Sequence, residues 1–222
     1  MSQPPTAHPE GPETLGAAGA FFLRQTSPRV LLFALTVATS TRLSLGNWTG
    51  WDLLPPLAVL AYWPINEWLI HVVILHFRPF RLFGRTVDFR VPQSHRAHHA
   101  DPWNLGILFI PVHSFTYSLP LLVATAWLLT PTMEVAATAI AFYIAMALHY
   151  EWVHFLAHTR YTPQTPYYAR AVRNHRLHHF KNEHFYFGVS TTLGDRLFRT
   201  APEPTTVPIS GTARDIMQMA RQ

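Results

Sequence analysis

Residues 135–158 read VAATAIAFYIAMALHYEWVHFLAH. From Val135 to about Ala157 the stretch is apolar, and at 1.5 Å rise per residue it is long enough to cross roughly 30 Å of hydrocarbon. Its last turns carry His149, Glu151, His154 and His158. Ionisable groups at the end of a membrane-length helix are costly to place there, which marks them as candidates for function. His154 and His158 are four apart and nearly eclipsed on a helix, so both rings face the same way.

Three other apolar runs lie outside this one. Leu105–Leu129 precedes it across Thr130-Pro-Thr-Met-Glu134, the length of a tight helix–helix connection, so the two are expected to form a helical hairpin. Leu53–Leu75 opens at Pro55-Pro56 and contains Pro64, which removes a backbone donor and should bend the helix. Val30–Leu45 follows Ser27-Pro28 and is barely long enough to span unless Phe21–Leu23 extend it. The expected fold is an all-α membrane protein with about four transmembrane helices and a cytoplasmic, histidine-rich helical cap.

The basic residues orient these runs. Arg24 and Arg29 precede the first, Arg78, Arg81, Arg85, Arg90 and Arg96 follow the second, and nine more from Arg160 to Arg221 follow the fourth. Only Arg42 lies near the loop between the first two runs. By the positive-inside rule both termini are expected in the cytoplasm, in a multi-pass protein such as one of a bacterial inner membrane. Residues 1–20 read as a disordered tail without the basic and apolar segments of a secretory signal, 21–200 as the membrane-embedded catalytic domain, and 201–222 as a C-terminal tail.

Composition narrows the chemistry. Hydrophobic residues make up 49% and charged residues 13%, more apolar surface than a small soluble domain can hide. A soluble bundle with helices hydrophobic all round is the bland alternative, and the arginine pattern argues against it. The net charge of +5 could suit nucleic acid or anionic lipid, and its placement beside the apolar runs favours lipid, with no nucleic-acid partner expected. The absence of cysteine excludes disulfides, thiolate–metal sites and thiol nucleophiles, which leaves any metal to histidine and carboxylate.

Fourteen histidines occur, and twelve fall in four short clusters. His71 and His76 close the second run. His95, His98 and His99 follow in His-Arg-Ala-His-His; His149, His154 and His158 close the fourth run; and His175, His178, His179 and His184 follow in Asn-His-Arg-Leu-His-His-Phe-Lys-Asn-Glu-His. On a helix His95, His98 and His99 fall at about 0°, 300° and 40°, one face, and the same holds for His175, His178 and His179. His71 and His76 are five apart and about 140° out of register on a regular helix, so they need a π-bulge or a loosened last turn to meet. Neutral imidazole binds Fe, Zn, Cu and Ni, and a single tetrahedral zinc uses at most four ligands. Ten motif histidines therefore suit two metals with about five imidazoles each. His8, His113, His149 and His184 read as surface or core residues. Repeated His-x-x-His-His spacing argues against a surface pH sensor or adventitious metal patch.

At these residues the chain resembles the fatty acid hydroxylase and sterol desaturase superfamily, whose pattern is His-x₄-His, His-x₂-His-His, His-x₃-His, His-x₂-His-His in this order. The likeness extends to Ser94-His-Arg-Ala-His-His-Ala-Asp-Pro-Trp103 and Phe187-Gly-Val-Ser-Thr-Thr-Leu-Gly-Asp-Arg-Leu-Phe198, and covers about Trp63 to Thr200. It implies metal ligation by His71, His76, His95, His98, His99, His154, His158, His175, His178 and His179, at a non-haem centre of two metal ions, expected to be iron, with zinc possible as purified. It implies O₂ as co-substrate and oxidation of an unactivated lipid C–H bond, by hydroxylation of a fatty acyl chain or related membrane lipid. Desaturation, or carotenoid or sterol oxidation, would use the same metal chemistry. The lipid is expected to enter from the bilayer, and electrons to come from an external donor protein, since the chain shows no dinucleotide fingerprint or cysteine cluster.

Glu67, one turn before His71, and Glu151, three residues before His154, are candidates to orient an imidazole or ligate metal, or else to pair with arginine. Asp195 reads as structural. Two other classes compete. A zinc-dependent membrane hydrolase would use a carboxylate such as Glu151 as general base, but no His-Glu-x-x-His helix is present. A metal transporter would place its ligands near the bilayer midplane, not at the ends of the runs.

Overall fold

The computed structural model describes residues 11–211, which are mostly helical. In chain order they form α1 (Leu15–Phe22), α2 (Thr26–Leu45), α3 (Leu54–Leu69), the hairpin strands β1 (Phe80–Leu82) and β2 (Arg85–Val87), α4 (Arg90–Ala100), α5 (Phe115–Leu129), α6 (Met133–Ala157), α7 (Pro166–Phe180) and α8 (Leu193–Leu197). Among the described residues three helical stretches, Gly50–Leu75, Val112–Leu129 and Met133–Ala157, are long and apolar enough to cross a membrane. The first of the four expected runs is not among them. It lies in α2, where Thr36, Thr39, Ser40, Thr41 and Arg42 dilute the apolar character.

Other boundaries also differ from expectation. Helix α1 begins inside the segment read as a tail, and Ala18 is fully buried. At the other end, Val207 is buried and Ser210 N–H donates to the Lys181 carbonyl at 2.9 Å, so residues 201–210 pack onto the fold. The third run is helical only from Val112 onward, because the Asn104–Gly106 turn and Pro111 interrupt it. The arginine-rich stretch that follows the second run holds the β1–β2 hairpin, with Phe80 opposite Val87 and Leu82 opposite Arg85.

The chain divides into two compact units. One comprises residues 21–63 and 110–152. In it α2 packs against α5 and α6 through Leu31, Ala38, Phe115 and Ile144. Arg42, buried near the end of α2, donates from Nε to Asp52 at 2.8 Å and to Thr138 at 2.9 Å, and its guanidinium lies 3.5 Å from the Trp48 ring centroid. A buried charge left unpaired would cost several kcal/mol, so Asp52 is what makes Arg42 tolerable there. Glu151 accepts from Ser27 Oγ and from the Ile110 N–H, both at 2.7 Å, and so ties the start of α2 to the segment leading into α5.

The other unit comprises residues up to 20, 64–109 and 153 onward, and it contains all ten motif histidines. Its core includes Val153, Phe155, Leu156, Phe180 and Val189. Trp103 stacks on Phe180 at 4.8 Å, and Arg176 donates to the carbonyls of Ala157 and Thr159, which fastens α7 to the end of α6. The segment Phe187–Ser190 is gripped by two buried carboxylates. Asp195 accepts from the N–H groups of Phe187 and Gly188, both at 2.8 Å, from Thr200 Oγ1 at 2.7 Å and from Asn174 Nδ2 at 3.1 Å. Glu67 accepts from the N–H of Val189 at 2.5 Å, from that of Ser190 and from the Ser190 hydroxyl. Gly188 is required by space, since a Cβ there would lie 2.0 Å from the Thr191 carbonyl oxygen.

Asp195→Ala would strand several buried donors at about 1–3 kcal/mol each. Thermal unfolding in detergent is expected to show a loss of at least about 3 kcal/mol for this variant, with a smaller loss for Asp195→Asn, which keeps one acceptor oxygen. An unchanged midpoint for Asp195→Ala would show that the segment is held by something else.

Candidate metal centre

The histidine pairs start from local helix geometry. Continuing α3, residues Ile70–Leu75 form a π-helical segment, and the His76 N–H donates to the His71 carbonyl at 3.1 Å, an i to i+5 bond. This extra residue per turn brings His71 and His76 together, with ring centroids 5.1 Å apart. Helix α6 ends on His154 and His158, 5.0 Å apart. Helices α4 and α7 each supply a His-x-x-His-His triplet.

The ten histidines gather into two sets of five. His71, His76, His95, His99 and His178 form one; His98, His154, His158, His175 and His179 form the other. Within each set one ring nitrogen per residue lies within 4.8 Å of all the others. Each triplet is divided. The i and i+4 members of α4 (His95, His99) join the first set and the i+3 member (His98) the second, whereas α7 sends His175 and His179 to the second and His178 to the first. The i and i+4 side chains are about 40° apart on a helix, and i+3 lies about 100° from i+4, so one helix can address two adjacent centres.

The ring nitrogens satisfy one another only in part. In the first set Nε2 of His178 lies 3.1 Å from Nε2 of His76 and 3.2 Å from Nε2 of His99, which is itself 3.1 Å from Nε2 of His95. In the second set Nε2 of His175 lies 2.9 Å from that of His158 and 3.0 Å from that of His179. His71 and His178 each donate from Nδ1, to the carbonyls of Phe187 at 2.6 Å and Phe185 at 2.8 Å. Their tautomer is thereby fixed, and each Nε2 presents a lone pair. Nε2 of His71 and both ring nitrogens of His98 are buried with no hydrogen-bond partner among the described residues. Such groups cost roughly 1–3 kcal/mol each unless something else binds them.

A cation at the centre of each set would satisfy these lone pairs together. Two imidazole nitrogens about 2.1 Å from one ion lie about 3.0 Å apart at a right angle and about 3.4 Å apart in a tetrahedron. The observed 2.9–3.2 Å separations are nearer the former, which suits five or six ligands. Burial and mutual repulsion hold His95, His98, His158, His175, His178 and His179 well below the usual imidazole pKa. Burial, with smaller repulsion from His184 and Arg78, brings His76 down to about 4, and burial aided by repulsion from His76 brings His99 to about 3. All are therefore neutral near pH 7, the form that binds metal. The two sets differ in access: the second is fully buried, whereas His76 and His99 of the first are half-buried.

Neither carboxylate candidate belongs to these two sets. Glu67 acts on the first through the chain, by fixing Val189 and Ser190 next to the Phe187 carbonyl that receives His71. Glu151 is bonded to Ser27 and Ile110 in the other unit. His113, His149 and His184 also lie outside both sets, and His8 is outside the described residues. The carbonyls of Phe185 and Phe187 were not foreseeable as partners, since a backbone acceptor leaves no residue signature. Gly188, Gly194 and Asp195 in the Phe187–Phe198 string were the available signal.

The family model described as fatty acid hydroxylase matches residues 56–200, well over half of the chain. Two curated relatives are dihydroceramide fatty acyl 2-hydroxylases of Arabidopsis thaliana. FAH1 is 24% identical over 152 residues, 66% of this chain and 61% of the relative. FAH2 is 25% identical over 143 residues, 63% of this chain and 57% of the relative. The chain thus spans about three fifths of the length of these relatives. Among solved structures, full-length scs7p, of which only the hydroxylase domain is visible, matches with a TM-score of 0.59 at 19% identity, over 89% of this chain and 70% of that one, a likeness of fold. With the four histidine motifs falling inside or at the ends of its elements and the family match running through all of them, the chain belongs to the fatty acid hydroxylase family.

Proposed function

We propose that this protein hydroxylates a lipid C–H bond, on a fatty acyl chain, with O₂ as co-substrate at a non-haem di-iron centre. The observation that carries this reading is the gathering of ten imidazoles into two adjacent sets of five with no thiolate or carboxylate among them. Iron bound there would supply the redox chemistry that O₂ activation needs, which zinc lacks. His71, His76, His95, His99 and His178 would hold one ion, and His98, His154, His158, His175 and His179 the other.

The chain's own residues perform the positioning. The Phe185 and Phe187 carbonyls keep Nδ1 of His178 and His71 protonated and aim Nε2 inward. Phe187 packs its ring against His71, His76 and His178, which keeps water from that side of the first set. The five rings of the second set are all buried. Two sets of five imidazoles favour redox chemistry at two ions over a hydrolase, for which one zinc with three protein ligands and an open position suffices. Desaturation would use the same centre and is separated from hydroxylation only by the product.

The plant relatives are by name 2-hydroxylases of a dihydroceramide fatty acyl group, and we take position 2 of a long acyl chain as the first substrate to assay. Electrons are assigned to a donor outside these 222 residues, which contain no cysteine and no dinucleotide fingerprint. We further propose a membrane orientation with both termini cytoplasmic. This requires an even number of crossings, and α2, packed against α5 and α6, would supply the fourth, its Arg42 neutralised by Asp52.

Protein produced with iron is expected to carry two irons per chain by elemental analysis, and His98→Ala and His178→Ala each to lose an ion and all hydroxylation, whereas His8→Ala keeps both. Equal activity in all three would contradict the ligand assignment. In cells supplied with ¹⁸O₂, mass spectrometry of the lipids is expected to show a hydroxyl carrying the heavy isotope. Label arriving from H₂¹⁸O would support hydrolytic chemistry, and a new double bond without oxygen would support the desaturase.

A further inference from the structure

The segment 77–90, FRPFRLFGRTVDFR, joins the first histidine pair to α4 and is not used by the metal chemistry above. Its strands β1 and β2 pair in a two-residue hairpin whose tip is Phe83-Gly84. Phe80, Leu82, Phe83 and Phe89 are exposed, and Phe83 is 96% exposed. Phe83 also sits at φ 48° and Gly84 at φ 75°, the left-handed turn that favours Asn-Gly. A bulky aromatic residue at positive φ is disfavoured by its own Cβ, and an aromatic ring in open water is disfavoured by hydration. Immersion of the ring in a leaflet would remove the second of these costs.

The charges around the tip share one sign. Among residues 77–90 are four arginines, Arg78, Arg81, Arg85 and Arg90, and one acid, Asp88. Asp88 is taken by Arg96, whose Nη2 lies 2.6 Å and 2.7 Å from its two oxygens. None of the four arginines has an ion-pair partner among the described residues. Position adds a third observation. Leu75 ends a helical stretch long and apolar enough to cross a membrane, and Phe80 follows only five residues later, within about 18 Å even if fully extended. If that stretch spans, the hairpin cannot leave the interface.

We propose that the β1–β2 hairpin is an interfacial anchor, which inserts Phe83 and Leu82 into a leaflet and sets Arg78, Arg81, Arg85 and Arg90 against anionic lipid headgroups. Apolar side chains flanked by arginine are what such a boundary selects. The anchor is coupled to the ligand helix: Arg96 of α4 also donates to the Phe77 carbonyl at 3.0 Å, and Phe77 packs against Phe89 at 5.5 Å. Fixing the hairpin in the leaflet therefore fixes the depth of His95, His98 and His99. This rests on the membrane reading of Gly50–Leu75 and is independent of which metal the histidines hold. An acidic soluble partner would use the arginines but would leave Phe83 in water.

Because the sequence has no cysteine, Phe83→Cys creates a unique site for a nitroxide label. The labelled full chain, in bilayer discs of phosphatidylcholine with or without phosphatidylglycerol, is read by electron paramagnetic resonance for accessibility to O₂ and to a water-soluble nickel complex. Immersion predicts O₂ accessibility several times that of nickel. The ratio should rise further with phosphatidylglycerol, and that rise should be lost in the Arg81→Gln, Arg85→Gln background. Metal content, measured on the same samples, reports separately on the centre. A label as open to nickel as one in water, in both lipids, would overturn the proposal and leave the arginines to a soluble acidic partner.

Discussion

Buried imidazole nitrogens must be bonded to something, and the ten rings in this compact unit satisfy one another only in part. An imidazole that donates from Nδ1 to a carbonyl, as His71 and His178 do, has only a lone pair left at Nε2. When several such lone pairs point at a common centre, the neutral protein is strained electrostatically and a cation relieves it. This requirement organises the rest. It explains the division into sets of five, the neutral state of the rings near pH 7, and the buried carboxylates spent on fixing one short segment beside the first set.

The sets are built by interleaving. Each of α4 and α7 gives two rings to one set and one to the other, so neither set can form without both helices. The α3 extension and the end of α6 each complete one set. Phe187–Ser190 then closes the first set, held from one side by Glu67, a turn before His71 on the same helix, and from the other by Asp195. Two carboxylates thereby hold in place the Phe187 carbonyl that fixes the tautomer of His71. Their effect runs through backbone, a route less visible than a carboxylate bonded directly to imidazole.

Much of this was legible in the residues. Periodicity placed the ten histidines at the ends of apolar runs or on short helices, and the five-residue spacing of His71 and His76 required the distorted turn that Ile70–Leu75 adopt. The allocation of rings between the sets was not legible, because it depends on how separate helices approach. Nor was the hairpin, since three-residue strands are too short for alternation to register against so many arginines. The third run was overextended because Leu105–Pro111 is apolar yet turns at Asn104–Gly106, and α2 is the least apolar of the four runs, although its hydroxyl residues can return their hydrogen bonds to the helix, as Thr36 does to the Leu32 carbonyl. Glu151 was placed by its distance from His154 along the chain, but it serves Ser27 and Ile110 instead.

The central claim is that two ions sit within bonding reach of two particular sets of five nitrogens. Anomalous diffraction at the iron edge, from crystals of iron-loaded protein, tests it most directly. The account predicts two peaks, one at about 2.1 Å from ring nitrogens of His71, His76, His95, His99 and His178, the other equally close to His98, His154, His158, His175 and His179. A single peak, or iron bound elsewhere while these rings hydrogen-bond only to water, would contradict it.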